Sequence, residues 1–247
     1  MSFPEINPET DALFLDLDGT MIDIAPHPDD VVAPRQLICS LARLSDEFSG
    51  AIAIISGRPI AALDALLEPL LLPAAGVHGA EIRFEQGQRA VERAAPSIPN
   101  GVRWLLAPLS EIPGVVIEDK TTAIAVHFRQ APEAEERVRE VVEKAVKAHE
   151  ADELAIVPGK YVYEIKHARF SKGTAVAEFM SRPPWAGRRP VFIGDDVTDE
   201  AAFAVLPRWN GEGLAVGQDR PGARARFANA AEVRQWLASL VGQECTS

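Results

Sequence analysis

The chain has 247 residues, with 36 acidic against 25 basic side chains and a formal net charge of −11. Apolar residues make up 47% and charged residues 25%, a composition that excludes a wholly disordered chain. The acidic balance argues against a general nucleic-acid binder and against an anionic membrane surface as partner, and the length fits one large domain or two modest ones.

Residues 1–11 are acidic and proline-bearing, unlike a signal peptide. The most apolar stretch, residues 61–77, is broken by Asp64, Glu68, Pro69 and Pro73, so no membrane-spanning run is expected. Cys39 and Cys245 stand far apart, with neither metal-ligand spacing nor a disulfide framework. Together these features predict a soluble cytoplasmic protein in a reducing compartment.

Residues 12–15 form a short apolar run that meets an acidic turn at residues 16–20, the pattern of a buried parallel strand. Residues 34–48 place Leu37, Ile38, Leu41, Leu44 and Phe48 at helical spacing behind Pro34. Residues 51–55 are a second buried strand, and Pro59 opens another helix. Strand, helix, strand, helix is the rhythm of a parallel sheet covered by helices. Residues 73–84 read as strand, turn, strand, with residues 89–93 pairing back. The Pro, Ser, Asn and Gly cluster at residues 94–101 predicts a domain boundary.

The rhythm then changes. A helix at 102–110, strands at 115–118 and 122–128, a charged helix at 132–149 and strands at 154–157 and 161–165 predict an antiparallel α+β module. The first rhythm returns with helices at 172–180 and 198–206, strands at 190–194 and 213–216, and a helix at 232–240. The expected fold class is α/β: a parallel Rossmann-like core, residues 1–98 and 167–247, split by an inserted antiparallel α+β domain, residues 99–166.

Four motifs carry chemistry. DLDGT at residues 16–20 puts two carboxylates two residues apart at a strand end, where parallel α/β sheets bind ligands. They repel unless a cation relieves them, and a hard cation with oxygen ligands, Mg²⁺, fits. ISGR at residues 55–58 ends a strand in a hydroxyl and a glycine at a helix start, where backbone N–H groups bind anions. Ser56 also suits a plain N-cap. SKG at residues 171–173 opens a helix with a lysine, and GDDVTDE at residues 194–200 follows an apolar strand. A capping role accounts for one or two of its four acids, not for all four without a cation.

In this order the four motifs resemble the haloacid dehalogenase superfamily of phosphotransferases, and the inserted module looks like its C2-type cap. VHGAEIR (77–83), EDKTTAIAVHFR (118–129), PGKYVYEIK (158–166) and GDDVTDEAAF (194–203) narrow the resemblance to the trehalose-6-phosphate phosphatases. His167, Arg169 and Phe128 depart from the Pro, Gly and Tyr common there, so the loop into Lys172 is expected to differ in shape.

The resemblance implies Mg²⁺-dependent hydrolysis of trehalose 6-phosphate, with Asp16 as nucleophile forming an aspartyl-phosphate and Asp18 as general acid and base. It implies metal ligation by Asp16, the backbone carbonyl of Asp18, and Asp195, supported by Asp196 and Asp199. Ser56, the Gly57 N–H and Lys172 would hold the phosphate, and Glu118, Lys120, Arg129, Lys160 and Glu164 the sugar. His127 is a further candidate beside Arg129, His78 is read as either a hinge residue between core and inserted module or a satisfied histidine, and hinges are expected near residues 95–101 and 165–170. The implied partner is a small sugar phosphate, with functional coupling to a trehalose-6-phosphate synthase. Competing readings are another sugar-phosphate phosphatase, a phosphosugar mutase, and a non-catalytic phosphosugar-binding module.

Overall fold

The computed structural model describes residues 3–24, 31–89 and 93–242. Two compact units divide the chain, Met1–Arg93 with Ser171–Ser247, and Ala94–Phe170. In chain order the elements are β1 (Asp11–Leu15), α1 (Arg35–Glu47), β2 (Ile52–Ile55), α2 (Ile60–Leu67), β3 (Ala74–Gly76), β4 (Glu81–Arg83) and β5 (Arg93–Ala94). Then follow α3 (Asn100–Leu106), β6 (Val116–Asp119), β7 (Ala123–His127), α4 (Glu135–Lys147), β8 (Leu154–Gly159) and β9 (Val162–His167). The last stretch is α5 (Lys172–Met180), β10 (Arg189–Gly194), α6 (Glu200–Phe203), β11 (Glu212–Val216), β12 (Ala223–Phe227) and α7 (Ala230–Leu240).

The sheet of the first unit runs β12-β11-β10-β1-β2-β3-β4-β5. The pairs from β12 to β3 are parallel, and β4 turns back antiparallel on β3. β1 and β2 are buried along their whole length, as strands covered on both faces must be. Helix α1 begins after Pro34, and its Leu37, Leu41 and Leu44 are buried, a stripe at helical spacing. Phe179 of α5 packs edge-on against Trp185 and Phe84, with centroids 4.8 and 5.2 Å away, a favoured aromatic arrangement.

The second unit is an antiparallel sheet ordered β6-β7-β9-β8. Its apolar core joins Ile124, Val126 and Ile165 with Val138, Val142 and Ala145 of α4 and Val102 and Leu106 of α3. Cross-strand partners share a face, so the register Glu118↔Ala125↔Glu164 places these three on one face, and Ile117, Ile124, Val126 and Ile165 occupy the other.

Three expectations change. Residues 198–206 were expected as one helix. The structure has a short turn at Val197–Asp199, the four-residue α6, and another turn at Leu206–Trp209, where Pro207 cannot donate to the preceding turn. Strand β12, in the Arg-rich segment ARARF, was not anticipated. Ala225 and Phe227 are buried between exposed Arg224 and Arg226, so it is an edge strand with arginine stems toward solvent. Cys39 is disulfide-bonded, which removes the cysteine argument for a reducing compartment. Cys245 and residues 90–92 of the expected returning strand lie outside the described residues.

The first unit also buries an ion pair. Arg83 is 1% exposed and donates to both carboxylate oxygens of Asp64, at 2.8 and 2.7 Å, and to the Leu72 carbonyl. Removing one partner strands a charge in a low-dielectric interior. Asp64→Ala is therefore expected to destabilise this unit by about 3–5 kcal/mol, measured as a fall in the urea midpoint. Substitution at exposed Arg224 should leave the midpoint nearly unchanged.

Candidate active site

The first unit gathers its chemistry at the carboxyl ends of β1, β2 and β10. Asp16 follows β1 directly, and its N–H donates to the Ile193 carbonyl at 3.0 Å. Asp195 follows β10. Gly19 turns the chain at φ 77°, and a Cβ there would collide with the Asp195 carboxylate, so glycine is needed both for the conformation and for the space. The hydroxyl of Thr20 lies 2.9 Å from Asp16 Oδ2 and 3.3 Å from Asp195 Oδ1, between the two carboxylates.

Lys172 enters from the first residue of α5. Its position is fixed by a reciprocal cap: Ser171 Oγ accepts the Thr174 N–H at 3.1 Å, and Thr174 Oγ1 accepts the Ser171 N–H at 2.9 Å. Its Nζ donates to Asp16 Oδ1 at 2.8 Å and to Asp199 Oδ1 at 2.6 Å. Asp16 and Lys172 are each 3% exposed and Asp199 is fully buried. Asp199 Oδ2 also accepts the Asp196 N–H at 2.9 Å, and Asp196 caps its own turn through Val197 N–H.

Crowding shows in the protonation equilibria. Burial, opposed by Lys172 and reinforced by Asp199, pushes the Asp16 carboxyl up to about 7. Burial and the neighbouring Asp16 push Asp195 up to about 8. Burial raises Asp199 as well, against the pull of Lys172. Burial alone would lower Lys172, but the two carboxylates outweigh it and hold the ammonium above its ordinary value. One ammonium thus faces three carboxylates. Oxygen atoms of Asp16, Asp195 and Asp199 lie within 4.8 Å of one another, and an all-carboxylate donor set suits a hard divalent cation.

Ser56 and Gly57 follow β2. Ser56 is 1% exposed, and its Oγ accepts the Arg58 N–H at 3.1 Å. Arg58 grips Asp18 with Nε on Oδ2 and Nη2 on Oδ1, both at 2.7 Å, a bidentate charge-assisted pair. The Asp18 side chain therefore faces Arg58, and the clustered metal-type oxygens come from Asp16, Asp195 and Asp199.

The polar face of the second unit carries further charged candidates. Lys120 Nζ lies 3.6 Å from Glu164 Oε1, and His127 Nε2 lies 3.0 Å from Glu118 Oε2. The hydrogen bond from His127 holds the Glu118 carboxyl below its ordinary range, against partial burial. Ala125 stands between the two glutamates in the register, leaving a low floor between polar walls. Lys166 is buried and donates to the Phe170 carbonyl. Lys160, in the turn between β8 and β9, and Arg129, past the end of β7, are exposed. His167 lies 3.0 Å from the Pro96 carbonyl and 3.2 Å from that of Asp152, so it ties three segments of its own unit together.

A family model described as trehalose-phosphatase matches residues 14–221. The trehalose-6-phosphate phosphatase of Escherichia coli K12 is 40% identical over 227 residues, covering 92% of this chain and 85% of the relative. The chain belongs to the trehalose-phosphatase family. It is a phosphoric monoester hydrolase, as the named relatives are. A probable trehalose-phosphate phosphatase of Sinorhizobium fredii is 42% identical, covering 87% of this chain and 80% of its own. Among solved structures, the C-terminal domain of a C. albicans trehalose-6-phosphate phosphatase superposes with a TM-score of 0.82 at 22% identity, covering 96% and 93% of the two chains. A phosphatase of the haloalkanoate dehalogenase superfamily from Bacteroides thetaiotaomicron gives 0.62 at 16%, covering 98% of each. These two establish the shared fold.

Within this cluster, the sequence patterns assign no role to Thr20 or Arg58, although both lie in quoted motifs. A hydroxyl and a guanidinium have many possible partners, and neither spacing names the carboxylate that each reaches. The raised carboxyls give a signed expectation. A native state that holds protons on Asp16 and Asp195 above the unfolded carboxylate range loses stability as pH rises from about 4 toward about 8. The metal-free protein should therefore melt at progressively lower temperature across that window. Added Mg²⁺ should raise the melting temperature more at pH 8 than at pH 5. A flat profile, or an equal metal effect at both values, would contradict the electrostatic reading of this cluster.

Proposed function

We propose that the protein hydrolyses trehalose 6-phosphate to trehalose and inorganic phosphate through an aspartyl-phosphate on Asp16. The observation that carries this reading is the buried Asp16 carboxylate at the end of β1, 2.8 Å from the Lys172 ammonium and beside Asp195. The substrate assignment rests on the named relatives in Escherichia coli and Sinorhizobium fredii.

An oxygen of Asp16 attacks the phosphorus, and the bond from phosphorus to the sugar oxygen breaks. Asp18, once released from Arg58 and protonated, gives that proton to the departing oxygen. It then takes one from the water that cleaves the acyl phosphate and releases Asp16. Ser56 Oγ, the Gly57 N–H and Lys172 hold the phosphoryl oxygens. A divalent cation, Mg²⁺ in this reading, supplies the positive charge that the carboxylate cluster lacks; Asp16, Asp195 and the Asp18 carbonyl would hold it, with Asp199 and Asp196 in support. Asp199 contributes in a second way, since it fixes the ammonium of Lys172 against Asp16.

The second unit supplies sugar recognition. Glu118, Lys120 and Glu164 present acceptors and a donor on one sheet face, the combination that sugar hydroxyls require. Arg129 and Lys160, exposed at strand ends, are secondary candidates.

The test is phosphate release from trehalose 6-phosphate with Mg²⁺, using EDTA and glucose 6-phosphate as controls. The expected result is fast release from the disaccharide, slow release from the monosaccharide, and none with EDTA. Equal rates on both sugars would keep the chemistry and discard the substrate. Asp16→Asn should bind the substrate and turn over at least about a thousandfold more slowly, and near-normal turnover would remove the nucleophile assignment. Glu164→Gln should raise KM for trehalose 6-phosphate several-fold while leaving kcat on p-nitrophenyl phosphate unchanged.

A further inference from the structure

The strained turn at Val77–Gly79 has no part in the chemistry above. Three consecutive residues there have positive φ: Val77 at 48°, His78 at 53° and Gly79 at 98°. The left-handed region is uncommon for any residue with a side chain and a genuine outlier for a β-branched one such as valine. Such conformations persist only where surrounding contacts over-determine them, and they cluster at functional sites.

The contacts that hold this turn run to the two elements assigned to the phosphate. On one side, the Val77 N–H donates to the Arg58 carbonyl at 3.0 Å and the His78 N–H to the Ser56 carbonyl at 2.9 Å. The loop from Ser56 to Arg58 is thus pinned at both ends by the strained pair. The His78 imidazole lies over the peptide between those ends. A Cβ at Gly57 would come within 2.8 Å of both its Cε1 and its Nε2, and His78 is buried, at 7% exposure. On the other side, Gly79 backs onto the start of α5. A Cβ there would come within 2.9 Å of the Ser171 carbonyl oxygen and 3.1 Å of the Ala175 Cβ. Ser171 is the cap that sets Lys172.

We infer that His78 is a positioning residue for phosphoryl binding: its left-handed backbone pins the Ser56–Arg58 loop, and its ring fixes the orientation of the Gly57 N–H. Through Gly79 the same turn sets the spacing between that loop and the helix that carries Lys172. The inference rests on the assignment of Ser56, Gly57 and Lys172 to phosphate. Preorganised donors bind without reorganising, and a loop freed of the ring loses that advantage.

The test separates the ring from the backbone. Glycine adopts positive φ without strain, so His78→Gly keeps the turn and removes only the ring. With Mg²⁺-loaded protein and inorganic phosphate as the probe, calorimetry should show Kd raised about tenfold, with a melting temperature close to that of the wild type. His78→Asn, which tolerates the left-handed region and restores a flat polar group, should recover part of the loss. A residue that merely fills space would leave the phosphate Kd unchanged in both variants, and that result overturns the inference.

A second measurement needs no variant. The chain has five histidines, so the ring signals of isotope-labelled histidine can be assigned. The His78 signals should move on addition of phosphate and saturate with the calorimetric Kd. Unmoved His78 signals in a protein that binds phosphate would overturn the inference alone. A wild-type protein that binds no phosphate with Mg²⁺ present would overturn the phosphate-site assignment, and the inference with it.

Discussion

The ammonium of Lys172 bridges Asp16 and Asp199 in the interior of the first unit, and the surrounding architecture keeps that bridge in place. An ammonium and two carboxylates out of water carry a large desolvation cost, offset only where geometry is close and the remaining polar atoms are paired. Each partner is therefore tied down separately. Asp16 is held by its strand and by Thr20, Asp199 by the Asp196 N–H, and Lys172 by the Ser171–Thr174 cap of α5. The bridge is incomplete as an electrostatic device, because Asp195 adds a third carboxylate without a second ammonium. That excess negative charge is what a bound divalent cation would relieve. An anion can approach this acidic protein where local positive charge is supplied.

The two units place their polar side chains by different kinds of sheet. Parallel strands bring Asp16, Ser56 and Asp195 to one end of the first sheet from segments far apart in the chain. The antiparallel sheet of the second unit spaces Glu118 and Glu164 across Ala125 by register alone. One arrangement concentrates charge at a single point. The other spreads donors and acceptors over one sheet face.

Much of this was legible in the residues. β1, β2 and β10 are continuous apolar runs ending in polar motifs, and α5 begins at Lys172, where the SKG motif is read as opening a helix. The features that escaped have physical reasons. Strand β12 hides behind alternating arginines, whose charge reads as a loop although their stems suit an edge strand. The break-up of residues 198–206 turns on Pro207, just past the expected helix end. The pairing of Arg58 with Asp18 crosses 40 positions, and nothing in either motif names the other. The left-handed turn at Val77 and His78 contradicts local preference, so only the tertiary contacts around it reveal it.

The order of strands in the first sheet bears on how the protein is made. β1 lies between β2 and β10 and pairs with both, yet β10 begins at Arg189. A ribosome delivers the whole of the second unit before β1 can acquire that neighbour. Until then the strand Ala12–Leu15, fully buried in the finished sheet, keeps one hydrogen-bonding edge open, the kind of edge that pairs with other chains. The second unit has its own apolar core and a mostly local topology, so it can close while the first unit waits. The insertion that divides the catalytic sheet in sequence thus also sets the interval during which that sheet is vulnerable to aggregation.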